Sequence, residues 1–183
     1  MKPSRSIVVY PDPVLRERCR ELGGTSAETR DLAGELRASL STTSGIGLAA
    51  PQIGEAVRMV LLKADASTRA GGGLIMINPV IVGHSHALSL MAEGCLSLPG
   101  QRHAITRPSE VSVEYISETG HARRVDLDGL AAKCAQHEID HLDGILIIDR
   151  AAESKPQAAA PGSIVPTMGA TIRATVSHFD RSR

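Results

Sequence analysis

Apolar residues recur at helical spacing in two stretches of the chain. Residues 25–42 predict a helix with one apolar face formed by Thr29, Leu32, Ala33, Leu36 and Leu40. Thr25 and Glu28 have the T-x-x-E spacing of a capping box, which predicts where this helix begins. The segment GLAAKCAQHEIDHLDG predicts a second helix, with Asp128 as its N-cap and Gly144 as the glycine that ends it.

Short apolar runs between these helices predict strands. The runs are residues 57–62, 74–82, 110–118 and 123–127. The last two are expected to form a hairpin through a turn that contains Gly120. Because the strands and helices are interspersed without a regular alternation, the pattern predicts an α+β fold rather than a doubly wound α/β fold.

The composition divides the chain in two. Residues 1–150 contain no internal repeat and no low-complexity block, so they are expected to form a single domain. The following stretch, AAESKPQAAAPGS, is rich in Ala, Pro and Ser and predicts a mobile tail over residues 151–183. Weak alternation of Ile172, Ala174 and Val176 favours a short terminal strand within that tail.

Composition and charge exclude several classes of partner. The chain has 183 residues, 42% of them hydrophobic, which is enough for one compact core. Twenty basic and twenty acidic side chains give a net charge of zero, and only three residues are Phe or Tyr, with no Trp. Stable binding of nucleic acid is not expected, because the chain has neither a basic field nor aromatic platforms for base stacking.

Apolar runs and cysteines favour the cytoplasm. No apolar run approaches the roughly 18–20 residues of a membrane-spanning helix, and the run from Ile7 to Tyr10 is too short for a secretory signal. The three cysteines are too few and odd in number for a disulfide framework. A monomer is expected, because no long exposed apolar stripe is evident.

An H-E-x-x-H motif, His137 to His141, lies inside the second predicted helix. Residues four apart share a helical face, so both imidazoles can reach one cation while Glu138 points at a water bound to it. Such a motif also arises by chance on a surface helix with solvated side chains. A catalytic site needs a third ligand, but the metzincin extension of the motif fails at Ile147. Cys134 lies seven residues from His141, about 10.5 Å of helix, and is better placed as a lining or core residue.

Cys95 is the candidate for the third ligand. It lies in the segment EGCLSLPG, where Gly94 allows the backbone to approach a site closely and the Pro-Gly pair predicts a bend. The alternative is a buried free cysteine, the commoner fate of this residue type. The charged Glu93 two residues away argues against that alternative.

A third segment, GIGLAAPQIG, has three glycines around a run of small residues. It is typical of backbone that packs against a ligand, with Gln52 as an amide donor, although glycine-rich turns are mostly structural. In order, GIGLAAPQIG, EGCLS and QHEIDH resemble the three signature motifs of the peptide deformylases. YPDPVLR near the N-terminus resembles the opening segment of the same family, and the resemblance covers about residues 5–150.

The resemblance implies a fold, a reaction and a cofactor. The fold would have mixed, largely antiparallel β-sheets around a central metal-binding helix, and residues 1–150 would be its catalytic domain. The reaction would remove the N-formyl group from formyl-methionine at the start of nascent polypeptides, with transient contact to the ribosome. Cys95, His137 and His141 would hold one divalent ion, Fe²⁺ in the first place, with Zn²⁺, Ni²⁺ or Co²⁺ as substitutes.

The resemblance also implies roles for other residues. Glu138 would be the general base and acid, while the Gln52 amide and the Leu96 backbone N–H would stabilise the oxyanion. Gly47 would offer backbone contacts to the peptide. The pocket for the methionine side chain would be lined by Ile46, Met91, Leu130 and Cys134.

Two charged positions leave alternatives open. Arg102 or Arg107 is expected to pair with Glu93 and hold the cysteine segment, although a solvated role is equally compatible with the sequence. Lys133 stands at the pocket rim, where the family also has an aliphatic residue. There it would either favour acidic ligands or extend to solvent.

Three alternative functions remain at this point. The first is a deformylase-like hydrolase that acts on another N-formyl compound. The second is a non-catalytic metal-binding protein, which the presence of Glu138 and Gln52 disfavours. The third is a thiol enzyme with Cys95 as nucleophile and His137 as base, which would survive a chelator.

Overall fold

Two antiparallel sheets and a central helix make up the fold. The computed structural model describes residues 2–63, 73–153 and 174–178. The helices are α1 (Ala27–Ser41), α2 (Gly129–Leu142) and α3 (Ile147–Glu153). The strands are β1 (Gly47–Ala49), β2 (Met59–Leu62), β3 (Leu74–His84), β4 (Leu88–Cys95), β5 (Leu98–Pro108), β6 (Glu110–Ile116), β7 (Ala122–Asp128) and β8 (Ala174–His178). The predicted α+β fold is confirmed.

The larger sheet has six strands in the order β1-β2-β3-β6-β7-β8. Every neighbouring pair in it is antiparallel. The predicted hairpin of β6 and β7 is present, with Val113 opposite Val125, and both side chains are fully buried. The smaller sheet is the pair β4-β5.

Helix α1 covers the β1–β2 end of the large sheet. Its predicted apolar face is confirmed, since Thr29, Leu32, Ala33, Leu36 and Leu40 are all buried. The predicted cap is wrong by one residue: Ser26, not Thr25, is the N-cap, and its hydroxyl accepts from the Thr29 N–H. Thr29 is itself buried, and its hydroxyl donates to the Gly24 carbonyl.

Helix α2 lies in the middle of the molecule and packs on both sheets. Every residue from Ala131 to Leu142 is buried. Small side chains on the core side, including Ala131, Ala132 and Ala135, allow close approach to the large sheet. Asp128 is at the N-cap, but its side chain makes no capping hydrogen bond. Gly144 ends the helix at φ 72°, as predicted.

The β4–β5 hairpin is absent from the predicted strands. Its turn is Leu96–Ser97, and Pro99 and Gly100 lie inside β5, at an irregularity where the register shifts and Gly100 has φ 76°. The hydrophobic pattern of β4 is the reverse of that of a core strand. Leu88 and Leu90 are 63% and 61% exposed, while Glu93 on the opposite face is buried. Such a strand is not predicted from apolar residues that alternate with polar ones.

The C-terminal part contains two described elements. Helix α3 runs past residue 150, and β8 pairs antiparallel with β7 at the edge of the large sheet. Of the residues expected to form a terminal strand, Ala174 and Val176 are in β8, whereas Ile172 lies outside the described residues. The remaining predicted tail, residues 154–173 and 179–183, also lies outside them. Among the described helices, none combines the length and apolarity that a membrane span requires.

Candidate metal centre

Three side chains from two elements converge in the interior. Cys95 ends β4, and His137 and His141 lie one turn apart on α2. Their ligand atoms all lie within 4.8 Å of one another. The Cys95 Sγ is 3.3 Å from His141 Nε2, and the two imidazole rings are 5.1 Å apart. Cys134, excluded as a ligand from its spacing, is not part of this group.

The electrostatics of this group fit a divalent cation. Burial opposes a charge on His137, but hydrogen bonds to Cys95 and Glu93 outweigh it and raise the pKa of His137 to about 10. The same neighbours would favour a metal ion at His137 Nε2, and binding of that ion would displace the proton. Burial, with His137 and Arg107 nearby, holds the pKa of His141 well below its ordinary value, so that this ring is neutral, as a ligand must be. One thiolate and two imidazoles form a donor set that suits Zn²⁺ and Fe²⁺ alike.

Glu93 fixes the orientation of His137. Its Oε2 accepts from His137 Nδ1 at 3.0 Å, which leaves Nε2 for the ion. Arg107 donates to both oxygens of Glu93, at 2.7 and 3.1 Å, and to Asp140 Oδ2 at 2.7 Å. Of the two predicted partners, Arg107 therefore pairs with Glu93, while Arg102 is exposed and donates to the Ala92 carbonyl.

Glu138 is the buried carboxylate of the site. Among the described residues, its Oε2 and the His141 Nδ1 are buried side-chain atoms without a hydrogen-bond partner. Burial raises the pKa of Glu138 to about 7, although the neighbouring His137 lowers it in part. Gly47 of β1 lies directly against this carboxylate, because a Cβ there would be 2.5 Å from Glu138 Oε1 and 2.6 Å from Cys134 Sγ.

Gln52 lies in a 3₁₀ turn, Ala50–Ile53, that follows β1. Its Oε1 accepts from the Ala49 N–H at 2.8 Å, so its amide nitrogen faces the other way. That nitrogen donates to Ser97 Oγ at 3.2 Å and lies 3.7 Å from Cys95 Sγ. The Gln52 amide group is therefore held beside the ligand cysteine. Leu96, half-buried, follows that cysteine in the hairpin turn.

Residues of the expected substrate pocket flank the donor group. Leu130, Cys134 and His137 share one face of α2, since they are spaced by four and three residues. Met91 is on the inward face of β4, and Ile46, which precedes β1, is 38% exposed. Cys134 lies against Gly47. Leu130 and Cys134 therefore place two apolar side chains on the face of α2 that carries His137.

Comparison with known proteins decides the family. The model of the polypeptide deformylase family matches residues 4–157. The chain belongs to this family. It is 39% identical over 148 residues to a peptide deformylase of Synechococcus sp. (strain CC9605), an alignment that covers 81% of this chain and 74% of the relative. Its activity is the family's activity, the metal-dependent removal of the N-formyl group from nascent polypeptides.

Solved deformylase structures have the same fold. The peptide deformylase from Synechococcus elongatus in complex with actinonin has a TM-score of 0.76 and 35% identity, covering 82% of this chain and 80% of that one. The Met-Ala-Ser-bound deformylase from Acinetobacter baumannii has a TM-score of 0.75 and 28% identity, covering 82% and 99%. The predicted family and fold are confirmed. The Cys95, His137 and His141 group is a metal site typical of deformylases.

Sequence reasoning missed several residues of this deformylase site. Ser97, Asp140 and Arg150 were not predicted, yet Ser97 accepts from Gln52, and Asp140 joins Arg107 to Arg150 of α3. Ser97 and Asp140 could have been found, since they lie in the EGCLS and QHEIDH motifs. Arg150 carries no sequence signal, because its partner is in another element. The expected extension of Lys133 to solvent is wrong: its side chain is buried.

Proposed function

We propose that Cys95, His137 and His141 hold one divalent ion and that Glu138 is the general base of the deformylation. The observation that supports this is the buried cluster of three donor atoms beside a carboxylate oxygen that has no partner among the described residues. The ion, Fe²⁺ by the family resemblance with Zn²⁺, Ni²⁺ or Co²⁺ as substitutes, supplies Lewis acidity and lowers the pKa of a bound water. Every other step falls to the side chains.

Glu138 moves the proton. With a pKa of about 7, both of its forms are populated near neutral pH. The carboxylate takes a proton from the water that attacks the formyl carbon. The C–N bond then breaks, the acid form gives the proton to the departing amine, and formate is released. No other carboxylate is proposed for this step, because Glu93 is already bound by His137 and Arg107.

Gln52 and Leu96 are the proposed oxyanion donors. The Ala49 N–H fixes the Gln52 side chain beside the ligand cysteine before substrate arrives, and an N–H that donates to Ser97 Oγ in the free structure would turn to the oxyanion. The Leu96 backbone N–H lies in the turn right after Cys95. Removal of one such donor typically costs about 10²–10³ in rate.

The proposed substrate is a formyl-methionyl peptide. Gly47 would bind the peptide backbone, and Ile46, Met91, Leu130 and Cys134 would line the methionine pocket. The solved relatives bound to Met-Ala-Ser and to actinonin support a peptide-shaped site in this family. We extend to this chain the family's setting: a cytoplasmic, monomeric enzyme that meets its substrate transiently at the ribosome.

Glu138→Gln tests this assignment. The variant, purified anaerobically so that Fe²⁺ and Cys95 are not oxidised, is expected to keep its metal, because Glu138 is not a ligand. Its kcat on formyl-Met-Ala-Ser is expected to fall about 10²–10⁴-fold, the usual value of a general base. Metal analysis and formate release are measured on the same sample.

The control is Glu21→Gln, an exposed carboxylate far along the chain from the site. Turnover of Glu138→Gln within a few-fold of wild type would assign the base elsewhere. Wild-type activity that survives chelation would instead support a thiol enzyme using Cys95.

A further inference from the structure

Lys133 is a buried lysine on the face of α2 that carries Leu130 and His137, the face that lines the proposed substrate pocket. It lies three residues after Leu130 and four before His137, so it shares their face of α2. The residue is only 3% exposed. Its ammonium group has therefore lost most of its hydration, which is costly for a charge unless protein groups replace the water.

The protein replaces only part of that hydration. Nζ donates to the Ser89 carbonyl at 2.5 Å, on the β4 strand that also carries Met91 and Glu93. An ammonium has three donors, and within the described part of the chain the Ser89 carbonyl is the only acceptor bonded to Nζ. No carboxylate of the described residues forms an ion pair with it.

Glu93 cannot neutralise the charge of Lys133. Glu93 acts on Lys133 electrostatically, but both of its oxygens are occupied by Arg107 and His137. Burial lowers the pKa of Lys133, the charge on Glu93 raises it in part, and Arg107 lowers it further. Lys133 thus has donors to spare, and no carboxylate in the described ranges of the chain forms an ion pair with it.

We propose that Lys133 makes the pocket accept N-formyl substrates whose first side chain carries a carboxylate, in addition to formyl-methionyl peptides. This inference rests on the proposed function, in which the formyl group is at the ion and the first side chain lies against Leu130 and Cys134. Lys133 and His137 are four residues apart, about 6 Å of helix rise. Helical side chains lean toward the N-terminus, so the ammonium lies at the end of the pocket away from the ion.

The chemistry favours a carboxylate over a thioether at that end. A carboxylate accepts charge-assisted hydrogen bonds and supplies the missing counter-ion, whereas a methionine sulfur is a weak acceptor. Methionine is still admitted, because the bond to Ser89 holds the amine to one side and the aliphatic stem of Lys133 remains to pack against an apolar side chain.

Three peptides test the proposal on the metal-loaded enzyme: formyl-Met-Ala-Ser, formyl-Glu-Ala-Ser and formyl-Gln-Ala-Ser. Glu and Gln have the same shape and differ in charge, so the ratio of their kcat/KM values isolates the contribution of the charge. We expect this ratio to exceed one in the wild type and to fall about tenfold or more in Lys133→Met, mainly through KM. Lys133→Arg keeps the charge and is expected to keep the ratio above one.

The control is Lys63→Met, which removes an exposed lysine and should leave all three activities unchanged. A wild-type ratio at or below one overturns the inference without any variant. So does an unchanged ratio in a Lys133→Met enzyme of normal metal content and melting temperature. Formate from none of the peptides would overturn the proposed function itself, whereas formate from the methionine peptide alone overturns only this inference.

Discussion

The hydrogen-bond partners of Glu93 and Glu138 give these two buried carboxylates different roles. Glu93 shows this best: one oxygen accepts from His137, and Arg107 binds both, so the carboxylate is fixed as an orienting group. Glu138, by contrast, has an oxygen with no partner among the described residues and a pKa near neutrality, as a proton carrier requires. Two acidic residues in one pocket thus differ in role because their hydrogen-bond partners differ.

Gly47→Ala is a prediction at this scale. The added Cβ would meet Glu138 Oε1 at 2.5 Å and Cys134 Sγ at 2.6 Å, so the carboxylate must move. We expect kcat/KM for formyl-Met-Ala-Ser to fall about 10²-fold, the typical effect of a displacement near 1 Å, with the metal content unchanged. Steady-state kinetics and metal analysis check this.

Gly83→Ala is the matched control, because a Cβ there makes only ordinary contacts with Ser112 at 3.6 Å. Gly83→Ala should keep wild-type kinetics. If Gly47→Ala also keeps them, then Gly47 does not pack against Glu138 in the catalytically active conformation.

At the scale of elements, a buried ionic network joins three pieces of the fold. Arg107 of β5 bridges Glu93 of β4 and Asp140 of α2, and Arg150 of α3 also pairs with Asp140. The network holds the hairpin that carries Cys95 against the helix that carries the two histidines. The pairing of Glu93 with Arg102 or Arg107 was expected from the sequence. The two pairings of Asp140 were not, because they join side chains from separate elements and no local pattern marks them.

Arg107→Met tests the network. The arginine is 4% exposed, and its removal leaves Glu93 buried without its cationic partner. We expect the free energy of unfolding to fall by about 3–5 kcal/mol, as for other broken buried ion pairs. Urea denaturation of the metal-loaded protein measures this.

Arg102→Met, on the same strand but exposed, should change the free energy of unfolding by no more than about 0.5 kcal/mol. An equal fall in the free energy of unfolding in the two variants would mean that the buried ion pairs of Arg107 do not stabilise the fold.

On the scale of the whole molecule, the metal centre connects the two sheets. Cys95 belongs to the small sheet, and both histidines belong to the helix that packs on the large sheet. An ion bound to all three side chains would cross-link Cys95 to His137, which lies 42 residues further along the chain. Such a site exists only in the folded state, so metal binding is linked to folding.

Metal removal is therefore expected to lower the melting temperature. An ion that binds only the native state adds about 4 kcal/mol to the free energy of unfolding when its free concentration is about 1,000 times Kd. Thermal unfolding of the loaded protein, the chelated protein and the chelated protein with Ni²⁺ restored checks this. Cys95→Ser should show a smaller shift on chelation, and an identical melting temperature in all wild-type samples would exclude the link to folding.

Local sequence patterns were enough to predict the metal-binding motif and much of the secondary structure. The H-E-x-x-H spacing, the periodic apolar face of α1 and the alternation in β6 and β7 are local signals, because helical and strand periodicity depend only on neighbouring residues. The three motifs, read together, also determined the family. The β4–β5 hairpin escaped because β4 exposes Leu88 and Leu90 while Glu93 is buried, which inverts the alternation that marks a core strand.

Which distant side chains come into contact depended on how the elements pack together. In the folded chain, Cys95 lies beside the two histidines, and Glu93 pairs with Arg107 rather than Arg102. Lys133 is buried and donates to the Ser89 carbonyl. Contacts of this kind depend on the packing of α2 between two sheets, and the free energy that selects them is a property of the whole core. A lysine whose sequence context is compatible with a solvent-exposed position can therefore end up buried, as Lys133 does.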